Sequence, residues 1–115
     1  MNPPSRGEVY WLNFDPATGA EMASMHPCVI VQNDVGNRHS ALTIVAAVTS
    51  NTRAARLPVG VSIPAGDAGL TRDSVVHCGH LYTVDQQRLG QCLGCLSPQQ
   101  MAQVEQALAA SLGLP

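Results

Sequence analysis

The sequence predicts a mainly β protein, a small curved antiparallel sheet or barrel against which a single C-terminal helix packs. Short runs of β-branched and other apolar residues recur along most of the 115 residues, and Gly, Pro, Asn and Asp separate them. Only the last segment spaces its apolar residues as a helix does, with capping residues at both ends. Many short strands followed by one amphipathic helix favour this class of fold.

The N-terminal half contains three predicted strands and one long loop. Glu8–Asn13 is rich in β-branched and aromatic residues and forms the first strand. Phe14–Met25 is a loop, and loops of this length in small domains are usually functional or disordered. Continuous apolar runs predict buried strands at Pro27–Gln32 and Leu42–Thr49. Asn33–Asn37 between them has turn chemistry, with room for one helical turn.

The C-terminal half continues with shorter strands and ends in the helix. Four strands are predicted, at Val59–Ile63, Ser74–His77, His80–Val84 and Arg88–Leu93. Ser97 is the expected N-cap, with Pro98 at the first helical position and Gln100 completing a capping box. Gly113 ends the helix. Its apolar face consists of Met101, Val104, Ala107, Leu108 and Leu112.

The composition excludes several classes of protein. The chain has no Lys, six Arg and eight acidic residues, for a net charge of -2, so it is not a strongly basic nucleic-acid binder. Its hydrophobic content of 45% excludes a disordered chain. No apolar run reaches the roughly 20 residues of a membrane span, and the N-terminus does not resemble a signal peptide. We therefore expect one domain, residues 1–115, in the cytoplasm.

The four cysteines favour small core residues over a metal site. Cys92 and Cys95 form a C-x-x-C, but a second such pair is missing. In a strand, residues three apart point to opposite faces, so the two sulfurs are not expected to share one ion. Cys78 near His80 keeps zinc as a minor alternative. Cys28 is expected in the core, within an apolar run.

Catalytic motifs for phosphate, nucleotide or zinc chemistry are missing, and what remains is a scatter of polar residues at strand ends. His26 closes the long loop, Thr49 ends a strand, and His77 and His80 lie on adjoining predicted strands. Metal-free phosphoryl transfer needs a base, an acid and donors for the phosphorus centre. A lone His is more often structural, so the residues alone leave a catalytic site and a generic binding module both open.

Seven segments occur in an informative order: Arg6–Trp11, Asp15–Glu21, His26–Arg38, Thr43–Thr49, Arg72–Val76, Tyr82–Asp85 and Arg88–Gly90. The ordered set, over roughly residues 6 to 114, resembles the MazF/PemK family of toxins from bacterial toxin–antitoxin systems. The resemblance implies an SH3-like small barrel of the CcdB/MazF type with a C-terminal α-helix, assembled as a homodimer.

The resemblance also implies an activity. Members of this family cleave single-stranded RNA, typically mRNA, at specific sequences, and leave 2′,3′-cyclic phosphate and 5′-hydroxyl ends. The 2′-hydroxyl of the substrate is the nucleophile, so no metal and no cofactor is implied. A cognate antitoxin is expected to block the RNA groove with an extended C-terminal segment.

Four positions depart from the family pattern. His26 stands where the family usually has the Arg that works with Thr49 as the catalytic pair, and Tyr82 also replaces an Arg. His77 and Gly79 stand where some members have an Arg and an Asp as acid and base. The replacement of these arginines by His and Tyr indicates either a loss of activity or a changed set of proton-transfer groups. We favour the second, with His26 and His77 as a base–acid pair, because His shuttles protons near neutrality better than Arg does.

The remaining candidates would bind RNA. Arg53 and Arg56 are expected to contact phosphates, although a solvated loop explains them equally well. Candidates for other RNA contacts are Glu21, Gln32, Asn33, Ser50 and Tyr82. The competing functions are a degenerate toxin that only binds RNA or its antitoxin, and a CcdB-like poison of DNA gyrase.

Overall fold

The computed structural model describes residues 2–14 and 24–115, so most of the predicted loop, with Glu21, lies outside the described residues. The strands are β1 Glu8–Asn13, β2 Met25–Ile30, β3 Leu42–Thr49, β4 Gly60–Ile63, β5 Ser74–Asp85 and β6 Leu89–Cys95. The helices are α1 Asp34–His39 and α2 Pro98–Leu112, with 3-10 turns at Thr52–Arg56, Asp67–Gly69 and Gln86–Arg88.

All six strands form one antiparallel sheet in the order β4-β5-β3-β2-β1-β6. Successive side chains along a strand point to opposite faces, so the apolar strands supply two cores. One face packs on α2 through Val104 and Ala107, and the other buries a smaller cluster that contains Leu12, Cys28 and Val45. The predicted mainly β fold with a C-terminal helix is confirmed, as is the buried position of Cys28.

Strand β5 corrects the prediction of two separate strands at 74–77 and 80–84. Ser74–Asp85 is one strand of 12 residues with a bulge in the middle. Ala46 pairs with Leu81, but the next residue of β3, Ala47, pairs with His77. The three residues between these partners interrupt the apolar pattern, which is why the sequence suggested a break. The bulge also lets His77 and Tyr82, five positions apart, both face the side of the sheet that holds Cys28.

Strand β6 corrects a second expectation. The predicted strand Arg88–Leu93 lies at Leu89–Cys95, and a bulge sits beside Val9 and Tyr10 of β1. Tyr10 pairs with Cys92, whereas Glu8 pairs with Cys95. Since Glu8 and Tyr10 point to the same face, Cys92 and Cys95 do so too. The prediction that Cys92 and Cys95 point to opposite faces is therefore wrong, because the bulge shifts the alternation of side chains between them.

Helix α2 begins and ends as predicted. The Ser97 side chain accepts a hydrogen bond from the backbone N–H of Gln100, and the Gln100 side chain accepts one from Ser97 N–H. Gly113 closes the helix in the left-handed conformation, at φ 70°. Arg6 forms an ion pair of 2.9 Å with Glu105 and ties the N-terminal segment to α2. Within the described part of the chain, no helix is long and apolar enough to cross a membrane.

Helix α1 depends on one buried polar side chain. Asn37 is 1% exposed, and its amide oxygen accepts hydrogen bonds from Thr43 Oγ1 at 2.7 Å and from Gln32 Nε2 at 3.0 Å. Its amide nitrogen donates to the carbonyl oxygen of Gln32 at 3.1 Å. The side chain thereby joins α1 to the end of β2 and the start of β3, where the backbone turns.

Replacing Asn37 by Ala should lower the free energy of unfolding by about 1–3 kcal/mol, because the Thr43 hydroxyl and the Gln32 amide lose their buried partner. Chemical denaturation measures this change. Arg38→Ala, on the exposed side of the same helix, is the matched control and should change the value by less than about 0.5 kcal/mol. Equal small effects of the two substitutions would contradict the role given to Asn37.

Candidate functional site

The candidate catalytic residues meet where β2 begins and β3 ends. Cys28 pairs with Ala47 and Val29 with Ala46, so continuing this register by two residues places His26 opposite Thr49. Pro27 has no N–H, and the ladder of hydrogen bonds stops there. His26 is exposed and Thr49 is half-buried, so both side chains remain within reach of a ligand.

A first cleft, which we call the Trp11 cleft, has a volume of about 370 Å³. It contains His26, Thr49 and Ser50 at the strand ends, and Trp11 from β1. Its other residues are Met25, Pro27, Val48, Gly69, Leu70, Thr71, Arg72, Ser74 and Leu93. The apolar side chains can contact a base or another flat group, whereas Arg72 brings a positive charge.

A second cleft, which we call the His77 cleft, has a volume of about 410 Å³ and shares Thr49 with the first. Its other residues are Asn51, Arg53, Ala54, Leu57, His77 and His80. The structure therefore brings together the three predicted catalytic residues, His26, Thr49 and His77, around the one strand end at Thr49.

The Thr49 hydroxyl is held by the chain that follows it. Its oxygen accepts a hydrogen bond from Asn51 N–H at 3.1 Å. Asn51 in turn caps the 3-10 turn Thr52–Arg56, because its side chain accepts from Arg53 N–H at 3.2 Å. A hydroxyl that accepts one bond retains its own proton for donation. The turn thus fixes the Thr49 oxygen and places Arg53 at the edge of the same cleft.

His77 and His80 form a stacked pair at the β5 bulge. Their ring centroids are 3.8 Å apart with an interplanar angle of 4°. His77 Nδ1 accepts a hydrogen bond from Gly79 N–H at 3.1 Å, so the proton of the neutral ring sits on Nε2. Burial lowers the pKa of His77, and the positive charge that His80 can carry lowers this pKa further. Sequence reasoning did not include His80 in the site, although the break in the β5 pattern marked its position.

An aromatic cluster connects two of the predicted residues. The Phe14 ring lies edge-on to His26, with centroids 6.0 Å apart, and edge-on to Tyr82, with centroids 5.0 Å apart. Tyr82 is 43% exposed and lines neither cleft. Phe14, Trp11 and Arg72 were missed as site residues, because only the pairing of distant strands brings them to this edge.

The other predicted RNA-binding residues divide into three groups. Ser50 lines the Trp11 cleft and Arg53 lines the His77 cleft, but Arg56 lines neither. Gln32 and Asn33 serve α1 instead, since Gln32 Nε2 donates to Asn37 and the Asn33 side chain accepts from Gly36 N–H at 2.7 Å. Glu21 lies outside the described residues.

The described residues contain no group of three or more His, Cys, Asp and Glu side chains arranged to hold a metal ion. All four cysteines are free thiols. Neither cleft is lined by an acidic side chain from residues 2–14 or 24–115. What the two clefts hold instead is imidazole, hydroxyl and guanidinium groups, which are suited to contacts with an anionic phosphate.

Comparisons with known sequences match one protein family and its relatives. The profile of a family described as PemK-like, MazF-like toxin of type II toxin-antitoxin system matches residues 5–112. Endoribonuclease EndoA of Bacillus subtilis (strain 168) is 40% identical over 109 residues, covering 95% of this chain and 94% of the relative.

Solved structures agree with these sequence matches. A mycobacterial endoribonuclease, solved in complex with its cognate antitoxin, is 31% identical with a TM-score of 0.82, over 97% of either chain. MazF from Deinococcus radiodurans is 27% identical with a TM-score of 0.79, covering 99% of this chain and 100% of that one.

Burial of His77 and its stacking on His80 predict a lowered pKa for His77. The pKa of His77 should lie below the ordinary value of about 6.5, because burial and His80 both oppose its charged form. Imidazole chemical shifts followed by NMR against pH measure this. In the His80→Ala variant the pKa of His77 should rise part of the way back. His39→Ala, an exposed residue away from both clefts, should leave it unchanged. A His77 pKa at or above 6.5 in the unmodified protein would contradict this account.

Proposed function

Because this chain belongs to the PemK-like, MazF-like toxin family of type II toxin–antitoxin systems, we propose that it is an endoribonuclease that cleaves single-stranded RNA, mRNA in particular. The resemblance carried by the ordered segments and the predicted fold class are confirmed by these matches. The observation that carries the proposed chemistry is the position of Thr49, shared by a cleft with His26 and a cleft with His77.

The proposed reaction starts at the 2′-hydroxyl of the RNA. His26 removes the proton from this hydroxyl, and the oxygen attacks the neighbouring phosphorus to form a 2′,3′-cyclic phosphate. His77 donates the proton on Nε2 to the departing 5′ oxygen, which leaves as a hydroxyl. The donor is the imidazolium form, so when Nδ1 is protonated the hydrogen bond that it accepts from Gly79 N–H in the neutral ring is given up. A lowered pKa makes the His77 imidazolium a stronger acid.

Three further side chains stabilise the negative charge that develops on the phosphoryl oxygens. The Thr49 hydroxyl is free to donate to a phosphoryl oxygen. Arg72 lines the Trp11 cleft and Arg53 the His77 cleft, one on either side of Thr49. The family has arginines at the positions of His26 and Tyr82. In this chain, Arg53 and Arg72 supply the positive charge that those arginines would supply.

The proposal extends to partners and location. The relatives solved with a cognate antitoxin support an antitoxin for this chain as well, one that covers the clefts and so prevents RNA from entering. We place the protein in the cytoplasm, where mRNA is available, as a homodimer of single-domain chains.

Purified protein incubated with a mixed RNA in excess EDTA should produce discrete fragments. Their ends should be 2′,3′-cyclic phosphates and 5′-hydroxyls, because the substrate supplies the nucleophile and the described residues supply the proton transfers. Radiolabelling of the 5′ ends by a kinase without prior phosphatase treatment detects the hydroxyls. If the protein binds RNA without cleaving it, it is a binding module and not an enzyme. If EDTA abolishes cleavage, the reaction needs a metal ion and the metal-free mechanism is excluded.

Substitution of His26 tests the proton transfer directly. His26→Ala and Thr49→Ala should each lower kcat/KM by about 10²–10⁴-fold, the range for a lost general base or oxyanion donor, without change in the unfolding transition. His39→Ala is the matched control and should retain full activity. His26→Arg, which restores the family residue, should cleave RNA with a weaker dependence on pH below neutrality. Undiminished activity in His26→Ala would rule out its assignment.

A further inference from the structure

Cys92 and Cys95 form a pair of exposed thiols outside the lining of both clefts. The bulge of β6 leaves Cys92 opposite Tyr10 and Cys95 opposite Glu8. Because Glu8 and Tyr10 are two residues apart on a regular strand, both cysteines point to one face of the sheet. A C-x-x-C spacing in a strand without a bulge would separate the two sulfurs.

The sulfur of Cys92 leans along the strand toward Gly94 and Cys95, whereas the sulfur of Cys95 leans toward Leu96. Cys92 Sγ lies 3.9 Å from Glu8 Oε2, so it leans along β1 toward the residue that faces Cys95. Cys95 Sγ lies 3.3 Å from the carbonyl oxygen of Leu96, so the Cys95 side chain has to rotate toward Cys92 before the two sulfurs can meet. Two strand steps separate Cα atoms by about 6.5–7 Å, at the upper limit of the about 4.4–6.8 Å that a disulfide spans. Rotation of the Cys95 side chain together with a tighter bulge brings the two sulfurs within bonding distance.

The other two thiols are protected from the same chemistry. Cys28 and Cys78 are buried in the two cores. Burial raises the pKa of Cys28 to about 12 and the pKa of Cys78 to about 11, which keeps both protonated at neutral pH. Because the thiolate is the reactive form, an oxidant that enters from solvent meets only the exposed pair.

The residues between the two cysteines form part of the Trp11 cleft. Leu93 lines this cleft together with Gly69 and Trp11. The backbones touch here: a Cβ at Gly69 would overlap the Leu93 carbonyl oxygen, and a Cβ at Gly94 would lie 2.7 Å from the Ala68 carbonyl carbon. Ala68 is itself in the left-handed region, at φ 55°, where a side chain is strained. Movement of Leu93–Gly94 therefore displaces the wall of the cleft.

We propose that Cys92 and Cys95 are a redox site, which a small disulfide oxidant converts to an intrachain disulfide that reshapes the Trp11 cleft. One thiolate attacks a sulfur of the oxidant, for example oxidised glutathione, and releases one glutathione thiolate. The second cysteine thiolate attacks the mixed disulfide and releases the other glutathione. Two cysteine thiols are oxidised, one glutathione disulfide is reduced to two thiols, and the two cysteine protons end on glutathione.

The test uses the full chain under native conditions with oxidised glutathione. Before oxidation, iodoacetamide should alkylate two thiols, and after oxidation none, with an intact mass lower by two hydrogens. Peptide mapping should place the bond between Cys92 and Cys95. Trp11 is the only Trp, and it lines the cleft, so its fluorescence emission should shift on oxidation and return with a dithiol reductant.

Two variants separate the parts of the proposal. Cys95→Ser should trap a glutathione mixed disulfide on Cys92 and show no comparable Trp11 shift. Leu93→Ala should still form the disulfide but show a smaller shift, because the side chain between the sulfurs and the cleft is shortened. Two thiols that stay reactive, a bond between two chains, or unchanged Trp11 emission in the oxidised protein would each overturn the proposal. None of these measurements depends on ribonuclease activity, so failure of the proposed function is seen separately, as wild-type protein that does not cut RNA.

Discussion

Strand β3 pairs with β2 on one side and with β5 on the other, and both clefts depend on these two registers. The pairing with β2 brings His26 and Thr49 to the lining of one cleft, and the pairing with β5 places His77 beside Ala47, two residues away along β3. Two strand spacings, about 10 Å, separate the backbones of β2 and β5, so two imidazoles can approach one phosphodiester from either side of Thr49. A slip of one residue in either pairing would turn these side chains into the opposite core.

The two bulges decide which side chains share a face. In β5, the extra residues between the partners of Ala46 and Ala47 bring His77 and Tyr82 to the same side and allow His80 to stack on His77. In β6, the extra residue places Cys92 and Cys95 on one face, opposite Tyr10 and Glu8. Bulges often re-aim side chains near functional sites. Here the bulge in β5 shapes the candidate active site. The bulge in β6 places two thiols on one face, and Leu93 between them lines the Trp11 cleft.

An acidic chain without Lys can still present a positive site, because charge is concentrated locally. Arg53 and Arg72 stand on either side of Thr49, and no acidic side chain of the described residues lines the clefts. The net charge of -2 therefore excludes broad electrostatic binding of nucleic acid, but it does not exclude a short segment held at these clefts. The histidines add charge only as the pH falls, and burial of His77 delays its own contribution.

The sequence by itself determined the elements whose signals are local. The capping box at Ser97, the closing Gly113, the apolar runs of β2 and β3 and the order of family segments all predicted features that the structure and the comparisons bear out. His26, Thr49, His77 and His80 could be named from their strand ends, but the stacking of His80 on His77 and the places of Trp11 and Arg72 could not. The tertiary structure decided which residues meet, and it corrected the division of β5 and the faces of Cys92 and Cys95. The physical reason is that strand pairing joins residues far apart in sequence, and one extra residue in a bulge reverses the alternation on which any prediction from a single strand depends.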